Sequence, residues 1–187
     1  RFFGVGTPTG WEARFGRMQV AYRRSPAFAA VPEAVAAWLR LGEREAEAIA
    51  CERFDKRRFT LALSKVRRMT SRNFGDVCES ARAECAAAGV ALVFVRELPK
   101  THLSGVARWL GKDKALIQLS ARYRSDDHLW FTFFHEAGHI LLHGKKTIFI
   151  DVDRSDRNEL EDEANRFARD QLIPPAAFAK FQASGIY

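Results

Sequence analysis

The spacing of apolar residues divides the chain into segments of two periods. From about residue 31 to residue 89 the apolar positions recur at helical spacing. "VPEAVAAWLRLGEREAEAIACERF" reads as a helix, with Pro32 in its first turn and Ala, Leu and Glu dominating. "DKRRFTLALSKVRRMTSR" reads as a second, with Phe59, Leu63 and Val66 as its apolar stripe. "FGDVCESARAECAAAGV" reads as a third, stopped by Gly89. Ahead of these, "TPTGWEARFGRMQVAYRRSPAF" mixes turn residues with one short helical pattern, over about residues 11–23. The period then shortens. "VALVFVREL", "SGVARWL" and "KALIQLSAR" are short, rich in β-branched or apolar residues, and separated by turn signals at Pro99 and at 111–113. They read as three strands of one small sheet. "SDDHLWFTFFHEAGHILLHG" opens with capping residues and ends at Gly144. It is apolar nearly all round, which predicts a buried central helix. After the loop "KKTIFIDVDRSD", the segment "RNELEDEANRFARDQL" predicts a last helix ending before Pro174 and Pro175. The expected fold class is α+β: a helical N-terminal region, then a domain with an about three-stranded sheet packed on the histidine-bearing helix.

Composition narrows the class. A chain of 187 residues that is 47% hydrophobic has enough core to fold without staples. No stretch reaches the roughly 18 consecutive apolar residues of a membrane span, and the first residues do not read as a signal peptide. Cys51, Cys78 and Cys85 read as reduced thiols, which predicts a cytoplasmic protein. Cys78 and Cys85, seven residues apart on one helix, would have Cα atoms about 10 Å apart, too far for a disulfide.

Charge is uneven along the chain. Residues 1–72 carry 15 Lys/Arg against 7 Asp/Glu, whereas residues 73–187 carry 15 against 16. This asymmetry suggests a basic, helical linker or accessory region over 1–72 and a separate chemical domain over 73–187. Residues 53–72 hold eight Lys/Arg and one Asp. Arg57, Arg58, Arg67 and Arg68 could track the backbone of single-stranded DNA. A solvated helix face is the plainer reading, since few aromatics interleave the charges.

The chemistry lies in "HEAGH". His135 and His139 are four residues apart, so a helix puts both imidazoles on one face, where they can grip one metal ion. Zinc suits neutral imidazole ligands. Glu136 falls beside that face, where a carboxylate can take a proton from water. The alternative is a set of core histidines bonded to backbone or carboxylates. Burying two imidazoles and a carboxylate without a metal is costly, which weighs against it. His143 lies one further turn along, about 6 Å up the axis. It is not expected on the same ion; it could cap the helix end, orient a neighbour or touch substrate. A third ligand must come from elsewhere. His102 and His128 are candidates, and the last helix offers Glu159, Glu161, Asp162 and Glu163. At about 100° per residue, Glu161 falls nearer than Glu163 to the centre of the stripe formed by Leu160, Ala164, Phe167, Ala168 and Leu172. Glu161 is therefore the expected ligand, with Glu163 in reserve. "DVDRSDRNELED" is not an EF-hand, because Asp156 stands where the loop needs Gly.

"FTFFHEAGHILLH" followed by "ELEDEANRFARDQLIP" resembles the ImmA/IrrE family of bacterial zinc peptidases. The three strand segments also fall where that family places its small sheet, so the likeness covers roughly residues 74–175. Gln171 departs from it, standing where the family usually has an apolar residue. The resemblance implies a gluzincin-like zinc metallo-endopeptidase: His135, His139 and Glu161 bind Zn2+, and Glu136 is the base. It implies a substrate of the Xre helix-turn-helix repressor type and a role in responses to DNA damage, phage or mobile elements. The opening "RFFGVGTPTGWEARF" resembles the linker after a helix-turn-helix domain, so such a domain is expected ahead of it. The competing expectation is a transcription regulator or antitoxin subunit that uses the fold for sensing or dimerisation without turnover. The intact Glu136 favours the enzyme.

Overall fold

The histidine helix is held beneath a four-stranded mixed sheet. The computed structural model describes residues 2–11, 21–24, 32–101, 103–120, 126–143 and 154–185. Along the chain the elements are α1 (Pro8–Trp11), β1 (Ala21–Arg24), α2 (Pro32–Ala48), α3 (Lys56–Met69), α4 (Phe74–Ala86), β2 (Val90–Phe94), β3 (Leu103–Trp109), β4 (Ala115–Leu119), α5 (Asp126–Leu142), α6 (Arg154–Leu172) and α7 (Pro175–Ser184). The strand order is β1-β3-β4-β2. β3 pairs antiparallel with both β1 and β4, placing Gly105 opposite Leu119 and Ala107 opposite Ile117. β2 runs parallel to β4, with Val90 opposite Ala115.

Both faces of the sheet are covered, which explains strands that are apolar at consecutive positions. In β2, Val90 and Leu92 join one core while Ala91 and Val93 join the other, the two-residue alternation of a strand. On one face lies α2, where Trp38, Leu39 and Ala46 pack with Val93, Val106 and Leu116. On the other lie α3 to α6, where Phe59, Leu63, Val66, Val77 and Phe133 pack with Leu92, Ile117 and Leu119.

Polar side chains from the sheet lock α2 in place. Arg108 donates to Glu43 Oε1 at 2.8 Å and to the Leu39 carbonyl at 2.7 Å, both buried. Lys114 Nζ donates to the Ala46 and Ile49 carbonyls at 2.6 Å. A cation there satisfies orphan carbonyls and complements the negative end of the helix dipole. α3 and α4 start on short polar caps. Asp55 accepts from the Arg58 amide at 2.8 Å, and Asn73 from the Gly75 amide at 2.9 Å. Asp126, in the first turn of α5, accepts from the Phe74 amide at 3.0 Å and ties the starts of α4 and α5 together.

The three expected strands are β2, β3 and β4, and the expected helices are α2 to α6, but α6 is not the last helix, since α7 follows it with Pro175 in its first turn. The short helical pattern over 11–23 needs correction at its end. Ala21–Arg24 is a strand paired with β3, because the open edge of β3 offers backbone partners that outweigh local preference. Residues 12–20 lie outside the described residues, as do 121–125 and 144–153. Among the described residues, no helix is long and apolar enough to cross a membrane.

Candidate metal centre

Two helices build the site. α5 is buried from Thr132 to Leu141, so its histidines and Glu136 sit in the core rather than on a surface. His135 and Glu136 have no exposed area, and His139 has very little. α6 lies close against it, and Gly138 shows why. A Cβ at Gly138 would stand 3.3 Å from the Ala164 Cα and 3.2 Å from Phe167 Cδ1. A hydrogen on α5 facing an alanine on α6 lets the helices approach closely. That approach brings a carboxylate of α6 to the imidazoles of α5.

The carboxylate is Glu161. Its Oε2 lies 3.2 Å from His135 Nε2 and its Oε1 3.5 Å from His139 Nε2. The two Nε2 atoms are 3.1 Å apart. These three side chains are the candidate metal-holding group. Their chemistry fits zinc. Four ligands at Zn–N distances of about 2.0–2.1 Å form a tetrahedron with edges of about 3.3 Å, which matches the observed separations. Burial, helped by His135 and His143, pulls the His139 pKa down to about 3. The ring stays neutral and keeps a lone pair for a metal.

Each imidazole has a further partner on its Nδ1 edge. His135 Nδ1 lies 3.1 Å from Asn165 Oδ1. His139 Nδ1 lies 2.9 Å from His143 Nδ1, and His143 Nε2 lies 3.2 Å from Glu163 Oε2. Burial lowers the His143 pKa, and Glu163 opposes that shift. Glu163, the reserve ligand, therefore meets His143 rather than the cluster. Sequence reasoning missed Asn165, which follows Glu161 by four residues on the same face of α6; that spacing was the available signal.

Glu136 reaches toward β3. Its Oε1 is 2.9 Å from where a Cβ of Gly105 would be, and Thr132 Cγ2 is 2.7 Å from the same point. The strand thus passes over the carboxylate at its one residue without a side chain, a contact that the sequence alone does not signal.

Among the described residues, the other candidates lie outside this cluster. His128 is exposed in the first turn of α5, and His102 lies outside the described residues. On α3, Arg57, Arg58 and Arg68 are exposed. Arg67 donates to the Leu172 carbonyl at 3.4 Å, and Lys65 pairs with Glu84 at 2.8 Å. The three cysteines are free thiols, with Cys85 fully buried.

A His-Glu-x-x-His helix packed under a small mixed sheet, facing a glutamate from the following helix, has the parts of a metallopeptidase centre. The family model for the IrrE N-terminal-like domain, Peptidase_M78, matches residues 85–187, more than half of the chain. The chain belongs to this metallopeptidase family. It has no significant match among curated proteins or among solved structures.

Proposed function

We propose that the chain is a zinc-dependent endopeptidase of the gluzincin type, with His135, His139 and Glu161 as metal ligands and Glu136 as general base. The observation that carries this reading is the convergence of two imidazole nitrogens and a carboxylate within 3.1–3.5 Å, next to a second, buried carboxylate. A bound zinc ion would supply Lewis acidity toward a peptide carbonyl and toward water. Glu136 takes a proton from the water as its oxygen attacks the carbonyl carbon. It then delivers a proton to the leaving nitrogen as the C–N bond breaks. The buried setting strengthens these charge interactions by excluding bulk water.

The substrate on this reading is an extended segment, held by backbone pairing to the sheet. The resemblance noted in the sequence suggests a helix-turn-helix repressor, or a regulator domain of the same polypeptide, acting within the cytoplasm in a stress, phage-defence or mobile-element response. Inter-domain linkers of such repressors are exposed and unstructured, as proteolysis requires.

The test compares wild type with His135→Ala, His139→Ala and Glu136→Gln. Both histidine variants should lose zinc by metal analysis, while Glu136→Gln retains it and no longer cuts a helix-turn-helix repressor, with mass spectrometry locating the cut. Zinc retained in both histidine variants would disprove the centre. Zinc bound by wild type with no cleavage of the repressor or of the full-length polypeptide would favour the non-catalytic sensing module.

A further inference from the structure

We infer that His143 and Glu163 form a positioning relay that sets which nitrogen His139 offers to a metal; this rests on the metal-centre reading above. The argument is a count of ring protons. A neutral imidazole that binds a metal through Nε2 carries its proton on Nδ1, and that proton needs an acceptor. For His135 the acceptor is Asn165 Oδ1, at 3.1 Å. For His139 the atom facing Nδ1 is His143 Nδ1, at 2.9 Å. It accepts only if His143 carries its own proton on Nε2, and Nε2 then donates to Glu163 Oε2 at 3.2 Å. This assignment satisfies all three contacts and leaves the Nε2 atoms of His135 and His139 bare, side by side. The opposite tautomer of His143 would set two N–H groups against each other, or drive the proton of His139 onto Nε2 and into the ligand cluster.

Position supports the same role. His143 is the first residue past the end of α5, and its amide donates to the His139 carbonyl at 3.2 Å. Its ring meets the edge of His139 remote from Nε2, so it is not a further ligand to the same ion. Its side chain is 2% exposed and that of Glu163 51%. The relay therefore runs from the buried centre outward to a hydrated carboxylate. This accounts for the third histidine in the four-residue series. It orients the second, and the carboxylate at the far end fixes its tautomer.

Four proteins test the relay: wild type, His143→Leu, His143→Asn and Glu163→Ala. Zinc affinity is measured by chelator competition, the visible spectrum is recorded after Co(II) substitution, and the metal-free proteins are melted. His143→Leu should weaken zinc binding about 10- to 100-fold, the usual cost of losing an outer partner of a metal ligand, and alter the cobalt spectrum. His143→Asn keeps an oxygen acceptor near the place of Nδ1 and should recover most of the affinity. Glu163→Ala, at a half-exposed position, should melt like wild type yet lose about two- to tenfold in affinity, the worth of one hydrogen bond. The relay is overturned if His143→Leu and Glu163→Ala bind zinc as tightly as wild type with unchanged spectra. It is also overturned if His143→Asn binds as weakly as His143→Leu while the metal-free form of each is equally destabilised, since packing alone would then be the role. If wild type binds no metal, the centre reading falls and the relay with it.

Discussion

On the proposed reading, single residues divide the labour of the site between holding a metal and reacting. Glu161 and Glu163 are two positions apart on α6, yet among the described residues one meets two imidazoles and the other meets His143. Glu161→Ala should therefore cost about a hundredfold or more in zinc affinity, roughly one ligand's share of a zinc site, against a few-fold for Glu163→Ala. Chelator competition on the two variants checks this, and a reversed order would move the ligand to Glu163. Gly105 is the counterpart on the sheet. A methyl group there would collide with Thr132 and press on the Glu136 carboxylate. Gly105→Ala should keep its zinc, because no ligand is touched, while cleavage falls by about a hundredfold, the order expected when a reacting group is misplaced by about an ångström. Metal content and steady-state rates on the same preparation separate the two effects. Cleavage at the wild-type rate would show that the strand does not set Glu136.

At the scale of elements, the centre depends on how closely α5 and α6 approach. The histidines come from one helix and the carboxylate from the other, so neither element holds the ligand set alone. Gly138→Val places branched methyls where Ala164 and Phe167 already stand. Overpacking of this kind costs about 1–3 kcal/mol and moves α6 outward. Helical content should survive, since the sheet and α2 to α4 are untouched, whereas zinc affinity should fall sharply as Glu161 loses reach. Circular dichroism with a metal titration reads both. Unchanged affinity would mean that the α5–α6 spacing is not what positions Glu161.

At the scale of the whole molecule, the two cores draw on the basic N-terminal residues as well as on the family-matched part. Trp38 and Leu39 cover one face of the sheet, and Phe59, Leu63 and Val66 pack on the other. Together these five side chains are worth roughly 8–15 kcal/mol of burial at about 1.5–3 kcal/mol each. That is comparable with the whole stability of a domain, about 5–15 kcal/mol. A fragment of residues 73–187 should therefore give no cooperative thermal transition and little zinc affinity, while residues 32–187 should melt in one step. A cooperative melt of the shorter fragment would show that α2 and α3 are dispensable and that the change in charge near residue 72 marks a folding boundary.

Local signals in the sequence determined most of the elements and half of the site. The switch from helical to alternating period located β2, β3 and β4. The all-round apolar run marked α5 as buried, and the four-residue spacing put His135 and His139 on one face, because these patterns follow from helix and strand geometry alone. The phase of the α6 stripe also favoured Glu161 over Glu163. Other features belong to the tertiary structure. The pairing of Ala21–Arg24 with β3 depends on an open strand edge that no local pattern encodes. The closeness of Gly105 to Glu136, and the partners of His143 and Asn165, arise only when a strand and two helices meet. Within one helix, side-chain direction follows from residue spacing. Between elements it follows from how closely they pack, and here a glycine facing an alanine decided that the carboxylate of α6 would reach the histidines of α5.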